Sequence, residues 1–252
     1  MWDLFISIFI NILLTIYKLI GNFGVSIILF TILIKVVTWP LNAQQMKGAK
    51  AMQDLQSDKE WQAIQKKYAK DKEKLAQEQM RIYREKGINP FGSCLPTLIQ
   101  FPIIIALYQS IIRALASTPL DLLKLSRSII FPFLNVSDLI PLNSKFLWMN
   151  LGQPESVAIF GVGIPTLAII VAATTYIQSK LTLPPAANPN DQSAAMGQSM
   201  AYTMPLMLGW FALTFPSGLA VYFITSNVLG IVQYAMQGKA NWSNLLPGGS
   251  KK

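Results

Sequence analysis

Lys35 lies inside a long apolar segment, residues 22 to 41. A charged side chain in hydrocarbon costs about 2.5 to 3.5 kcal/mol on insertion scales, so such residues normally face a bundle interior or a water-filled cavity. Thr31 precedes Lys35 by one helical turn and shares its face, so that face is polar. A fixed positive charge in a hydrated cavity would attract acidic segments. The alternative is a snorkelling lysine, because Asn42 follows after about 10 Å of helix rise.

Amide side chains also occur in three further apolar segments. Gln100, Gln178 and Asn227 each carry hydrogen-bonding groups that lipid cannot satisfy, and threonine or serine residues directly precede Asn227 and stand shortly before Gln178. Each residue alone is typical of hydrogen bonding between helices. Together they predict one shared polar cavity at mid-membrane or on its cytoplasmic side. The apolar segments contain no Asp or Glu, which argues against a carboxylate proton relay or a cation-coordinating transporter site.

The composition indicates a membrane protein. Hydrophobic residues make up 52% of the 252 residues and charged residues only 13%, against about 25% charged in a typical soluble domain. The chain has one cysteine, Cys94, and no histidine, so metal sites and acid-base catalysis lack their commonest ligand and base. We therefore expect neither an enzyme nor a bound cofactor or metal. The first residues are not expected to be a cleavable signal peptide, because a basic region and a small-residue cleavage site are missing, so either none is needed or it has already been removed.

Five segments approach the roughly 20 apolar residues that a helix needs to cross a bilayer. They are residues 22–41, 92–113, 157–180, 199–215 and 218–236. The turn Phe215-Pro216-Ser217-Gly218 predicts that the last two form a helical hairpin. Residues 4–20 are a sixth apolar stretch, for which an interfacial helix is favoured over a further span. The expected fold is an all-α polytopic membrane protein: a five-transmembrane-helix bundle with an N-terminal interfacial helix.

Charge distribution predicts the orientation. Residues 43–88 contain eleven Lys or Arg and seven Asp or Glu, and basic loops are retained in the cytoplasm. This places the N-terminus outside and the C-terminus in the cytoplasm of a multi-pass cell-membrane protein. Two helices, 43–56 and 61–86, predict a cytoplasmic helical hairpin, with a solvated loop as the alternative. Basic residues between spans do not indicate specific nucleic-acid binding.

The expected organisation follows the chain in order. It comprises an N-terminal interfacial helix (1–21), the first span (22–42), the cytoplasmic hairpin (43–88), the second span (89–113), an extracytoplasmic loop (114–156), the third span (157–180), a cytoplasmic loop (181–198), the fourth and fifth spans (199–236) and a cytoplasmic tail (237–252).

Four motifs, in order along nearly the whole chain, resemble the YidC/Oxa membrane insertase superfamily. They are Gly21-Asn22-Phe23-Gly24 leading to Lys35 and Pro40-Leu41-Asn42; Asn89-Pro90-Phe91-Gly92-Ser93-Cys94-Leu95-Pro96 continuing to Gln100-Phe101-Pro102-Ile103; Phe146-Leu147-Trp148-Met149-Asn150-Leu151; and Phe215-Pro216-Ser217-Gly218-Leu219 followed by Tyr222 and Ser226-Asn227.

The resemblance implies a five-span core with a hydrophilic groove that opens to lipid and faces the cytoplasm. Its groove positions match Lys35, Thr31, Gln100, Gln178 and Phe223, and the polar pattern adds Asn227. The family usually has arginine at the lysine position, and some members have Tyr or Trp at the phenylalanine position. Lysine keeps the charge but loses the fork of donors. The chain also resembles short members that lack a large extracytoplasmic domain.

The function that this resemblance implies is an insertase that receives nascent membrane proteins and passes them into the lipid bilayer. The ribosome and the Sec translocon are candidate partners. A small channel or transporter is the alternative, but it would be expected to have inverted repeats or intramembrane carboxylates. A structural assembly factor would need no groove.

Overall fold

The structure is a computed structural model that describes residues 1–56, 58–68, 71–88, 95–115, 118–135, 139, 142–159, 162–182 and 192–238. Its helices are α1 (Trp2–Ile20), α2 (Phe23–Val37), α3 (Trp39–Gln56), α4 (Lys59–Lys67), α5 (Lys72–Glu85), α6 (Leu95–Ala114), α7 (Pro119–Ser128), α8 (Thr166–Thr182), α9 (Gln192–Thr214) and α10 (Ser217–Met236). Two antiparallel hairpins pair β1 (Lys145–Phe146) with β2 (Met149–Asn150), and β3 (Val157–Ile159) with β4 (Val162–Ile164).

The chain divides into two compact units. The first contains Met1–Val37, Gln100–Thr175 and Pro205–Gly230, and the second contains Thr38–Ile99, Tyr176–Met204 and Ile231–Lys252. The mostly helical fold that the sequence predicts is confirmed, and a helix lies in each of the five apolar segments. Among the described residues, α1 and α10 are long and apolar enough to cross a membrane, and α2 with the start of α3 would be a third span if the pair is one broken helix.

The first apolar segment breaks at Thr38, between α2 and α3. Pro40 follows two residues later; it has no backbone N–H, and in a continuous helix its ring would clash with the carbonyl group of Val36. The break therefore places Lys35 in the last turn of α2. The unsatisfied carbonyl groups at a helix C-terminus carry partial negative charge and stabilise a cation there.

The third apolar segment is not helical from residue 157 onwards, contrary to the prediction from the sequence. Residues 157–159 and 162–164 form the paired strands β3 and β4, and α8 starts at Thr166 after Pro165. Val157, Ile159 and Val162 are β-branched residues that favour strands, and glycine residues in this segment disfavour a helix. Because the whole segment is apolar, hydropathy alone could not distinguish this hairpin from the start of a span.

In its described part, segment 43–88 contains three helices, α3, α4 and α5, rather than two. The expected helix 61–86 is divided between α4 and α5, and Asp71 caps the second of them by accepting a hydrogen bond from the backbone N–H of Lys74 at 3.1 Å. Asp58 caps α4 in the same way through the backbone N–H of Glu60. A small apolar cluster packs the helices together: Leu55, Trp61, Ile64, Ile82 and Tyr83. The segment therefore has a small apolar core of its own.

Helix α1 packs against α2 and α7 in the first unit and holds a buried asparagine, Asn11. The Asn11 Nδ2 atom donates to the carbonyl oxygens of Ser7 (2.7 Å) and Ser128 (2.8 Å). Its Oδ1 atom accepts from the backbone N–H groups of Ile130 (2.9 Å) and Phe131 (3.0 Å). One side chain therefore satisfies groups both on its own helix and at the end of α7.

The β1–β2 hairpin packs onto the first turns of α2 and α10. An added Cβ atom at Gly24 would overlap the ring of Phe146. At α10, the Ser217 hydroxyl donates to the Asn150 carbonyl at 2.7 Å, and the Gly218 N–H donates to the Leu151 carbonyl at 3.0 Å. Glycine at position 24 is thus required by close packing rather than by its backbone angles.

Replacing Gly24 by alanine should lower the free energy of unfolding by about 1 to 3 kcal/mol, the usual cost of overpacking. Chemical unfolding in detergent measures this change. Gly48→Ala is the matched control, because Gly48 also lies in a helix and an added Cβ atom there meets nothing within 4 Å. Equal unfolding midpoints for the two variants would show that the Phe146 ring can move aside without lowering the free energy of unfolding.

Candidate functional site

The two residues predicted on the first span differ in their surroundings. Thr31 is fully buried, and its hydroxyl donates to the Ile27 carbonyl of its own helix at 2.7 Å. Lys35 lies one turn further on, is half-buried, and belongs to the last turn of α2. Thr31 therefore faces the packed interior of the first unit, whereas part of the lysine side chain is accessible.

Gln100 on α6 is held by a tyrosine of α10. Its Nε2 atom donates a hydrogen bond to the Tyr222 hydroxyl, and the tyrosine side chain is only 1% exposed. Tyr222 is thus a residue of the polar site that the side-chain pattern alone did not identify. Its position in the motif after Gly218 was the available signal, but the contact joins residues that are distant in sequence.

Asn227 joins α10 to α8. Its Nδ2 atom donates to the hydroxyl oxygens of Thr174 at 3.1 Å and Thr175 at 2.8 Å. The Thr174 hydroxyl lies within hydrogen-bonding distance of the Ile170 and Val171 carbonyls, so it can donate to the backbone while accepting from the amide. Polar groups predicted separately from the sequence are therefore bonded to each other across two helices.

Of the remaining two predicted residues, one packs against an aromatic ring and the other belongs to the second compact unit. Phe223 is buried, and its ring packs edge-on against that of Tyr222, with centroids 5.6 Å apart. Gln178 is half-buried on α8, one turn after Thr174, and belongs to the second compact unit. In the first unit, the structure thus brings together the polar groups of α6, α8 and α10.

Comparison with known proteins identifies the family. A family model described as 60Kd inner membrane protein matches residues 15–242. The chain belongs to this family. The family relationship that the sequence motifs indicated is thereby confirmed.

Two relatives illustrate how far the similarity extends. Membrane protein insertase YidC of Fusobacterium nucleatum subsp. nucleatum is 34% identical over 216 residues, which cover 86% of this chain and 86% of the relative. Membrane protein insertase MisCA of Bacillus subtilis strain 168 is 33% identical over 261 residues, which cover 100% of this chain and 86% of the relative. The similarity therefore includes all the helices that carry the polar groups.

A solved structure has the same fold. It is described as an active YidC insertase crystal structure with the first transmembrane domain resolved, and it matches with a TM-score of 0.56 and 24% identity. The match covers 92% of this chain and 45% of that chain. This chain therefore spans less than half the length of that insertase, and the likeness concerns the fold of the shared part.

The bond between Gln100 and Tyr222 can be measured directly. Tyr222→Phe removes the hydroxyl that accepts from the amide, which should lower the free energy of unfolding by about 1 kcal/mol. A double-mutant cycle with Gln100→Ala should give a coupling of about 0.5 to 1.5 kcal/mol. Tyr17→Phe is the control, because the Tyr17 hydroxyl accepts from the Asn143 N–H instead. Equal coupling energies of Gln100 with Tyr222 and of Gln100 with Tyr17 would contradict a hydrogen bond between Gln100 and Tyr222.

Proposed function

We propose that the chain is a membrane protein insertase that receives nascent membrane proteins in a hydrophilic groove and transfers them into the bilayer. The observation that carries this proposal is two sets of hydrogen-bonded amides and hydroxyls that share α10: Gln100 of α6 with Tyr222, and Asn227 with Thr174 and Thr175 of α8. Such groups exchange hydrogen bonds with a passing polar segment at a low desolvation cost. The process requires no bond chemistry.

Lys35 gives this groove its charge. Because the predicted spans contain no Asp or Glu, the positive charge attracts acidic segments of an arriving chain. The positions proposed to form the substrate groove are Lys35, Thr31, Gln100, Gln178, Phe223 and Asn227. The buried position of Thr31 supports a role in shaping the wall, and the partly accessible Lys35 supports direct contact.

The proposed topology has five spans, with the N-terminus outside the cell and the C-terminus in the cytoplasm of the cell membrane. The basic segment 43–88 supports this orientation. Helix α1 then lies in the outer interface. Asp3, near its start, pairs with Arg113 at the end of the second span (3.2 Å), and Lys18, near its end, donates to the Phe133 carbonyl of the outer loop (2.8 Å).

These two contacts argue against α1 as a span. Nineteen residues of helix extend about 28 Å, close to the thickness of the hydrocarbon core. A spanning helix would therefore have its ends on opposite sides, whereas Arg113 and Phe133 both belong to the outer side in this topology. An interfacial α1 satisfies both contacts.

The cytoplasmic segment is the proposed first contact for an arriving substrate. Its outer surface is charged, and Arg81 of α5 pairs with Glu60 of α4 and with Glu78 and Glu85 of its own helix. Its N-capped helices and small core support a folded arm over a solvated loop. The ribosome and the Sec translocon are proposed partners, and residues 239–252 of the basic tail lie outside the described part of the chain.

A channel or transporter is the weaker candidate. The relatives are named membrane protein insertases, and the spans lack the carboxylates that usually bind protons or cations in transporters. The polar groups described above bond helices to each other, which fits a groove wall.

Site-specific crosslinking tests the proposal. A photoreactive amino acid replaces Gln100, and ribosomes carry a stalled nascent chain with an acidic N-terminal segment and one apolar segment. We expect a crosslink from position 100 to the nascent chain. Ser126, exposed on α7 in the outer loop, is the control position and should remain uncrosslinked. Crosslinks at position 126 but not at position 100 would contradict a substrate groove at Gln100.

A further inference from the structure

The β1–β2 hairpin has two exposed apolar side chains at its tip. Leu147 and Trp148 form the turn between the strands, and they are 73% and 57% exposed. Leu147 has a φ of 53°, in the left-handed region that glycine and asparagine occupy more readily. A turn in water would be better served by one of those residues. Two large apolar side chains exposed side by side at one turn suit apolar surroundings better than water.

The position of the hairpin suggests what those surroundings are. Phe146 of β1 packs against Gly24 in the first turn of α2, and Asn150 of β2 accepts a hydrogen bond from Ser217 in the first turn of α10. Helices α2 and α10 both begin at the outer membrane surface in the proposed topology. The hairpin therefore lies at the level where hydrocarbon meets the headgroups.

The tryptophan ring is held in place by the protein. Trp148 Nε1 donates to Glu155 Oε1 at 2.9 Å, and the same carboxylate accepts from the Thr166 hydroxyl at 2.6 Å and the Leu167 N–H at 3.0 Å. Burial alone would raise the pKa of Glu155, but these hydrogen bonds outweigh it and lower the pKa below its ordinary value. The carboxylate stays ionised near neutral pH. The polar atom of the indole is therefore satisfied, and its apolar edge needs no water.

We propose that the Leu147–Trp148 turn inserts into the interfacial region of the outer lipid leaflet and anchors the extracytoplasmic hairpin there. Tryptophan is enriched at this depth of a bilayer because its ring is amphipathic. Lys145, exposed on β1 beside the turn, can pair with a lipid phosphate. The anchor fixes the hairpin that packs on the outer ends of the first and fifth spans. It rests on the proposed topology, which puts the first turns of α2 and α10 at the outer membrane surface, and not on insertase activity.

Fluorescence depth measurements in nanodiscs test this anchor. With Cys94→Ser as the background, Leu147→Cys carries an NBD label in discs of phosphatidylcholine and phosphatidylglycerol. We expect several-fold weaker iodide quenching at position 147 than at the control Gln153→Cys, which is an exposed polar position in the same loop. Lipids with a headgroup or shallow nitroxide should quench the label at 147 more strongly. Equal iodide quenching at the two positions would overturn the proposed lipid anchor. A turn that a partner protein covers in cells would give this result, because the nanodiscs contain no such partner.

A second variant separates anchoring from folding. Leu147→Asn removes the apolar side chain but suits the backbone of the turn, so the unfolding temperature in detergent should not fall. With the label moved to Lys145→Cys, this substitution should raise iodide quenching several-fold in nanodiscs. Unchanged quenching would show that the leucine does not hold the hairpin at the lipid surface.

Discussion

Lys35→Glu should reduce insertion of a single-span substrate with an acidic N-terminal segment by at least tenfold. Two unit charges about 6 Å apart at an effective dielectric constant near 20 interact by about 3 kcal/mol, and reversing one sign turns attraction into repulsion. Lys35→Ala should lose only the attraction and fall between wild type and the glutamate variant. Lys35→Arg should retain insertion within about twofold, because the charge is kept. The measurement is the protease-protected fraction of substrate in reconstituted vesicles.

Two controls separate this electrostatic effect from misfolding. Lys124→Glu makes the same charge change at an exposed position of α7, outside the proposed groove, and should leave insertion unchanged. A substrate with Asn and Gln in place of its acidic residues should be inserted equally by all Lys35 variants. If the alanine, glutamate and arginine variants insert the acidic substrate equally well, the charge of Lys35 has no part in reception.

The sequence predicted the helical architecture and the polar residues because both leave local signals. Apolar segments of about 20 residues are visible in composition, and Lys35 and Asn227 stand out within them. The hydrogen-bond partners were not predictable in the same way. Gln100 and Tyr222 meet only because α6 packs beside α10, and their separation in the chain is 122 residues. Pairing of this kind depends on helix packing, which periodicity does not encode.

Two local errors have physical causes. The β3–β4 hairpin was included in the third span because Val157, Ile159 and Val162 are apolar. These residues are also β-branched, but a hydropathy average does not register β-branching. The break between α4 and α5 was missed, because the Lys, Glu, Gln and Ala residues around it all favour a helix. Asp71 supplies the N-cap that begins the second helix, but a single aspartate in a charged segment is a weak signal.

Asn11 shows how a residue that interrupts an apolar pattern can hold a structure together. From the sequence it was only a polar interruption in residues 4–20. In the structure its side chain makes four hydrogen bonds, to Ser7, Ser128, Ile130 and Phe131, which matches the two donors and two lone pairs of an amide. These bonds attach α1 to the segment after α7. Helix α1, joined in this way, cannot separate from the segment after α7 without exposing several backbone groups.

Asn11→Ala should therefore lower the free energy of unfolding by about 2 to 4 kcal/mol, because it leaves the Ser128 carbonyl and the Ile130 and Phe131 N–H groups without their partner. Hydrogen exchange of those two amides should accelerate at least about tenfold, which corresponds to a loss of 1.4 kcal/mol in local stability. Thr15→Ala is the control, since the Thr15 hydroxyl donates to the Asn11 carbonyl of its own helix, and it should change stability by less than about 0.5 kcal/mol. Wild-type exchange at Ile130 and Phe131 in the Asn11 variant would mean that the loop is held by its apolar packing instead.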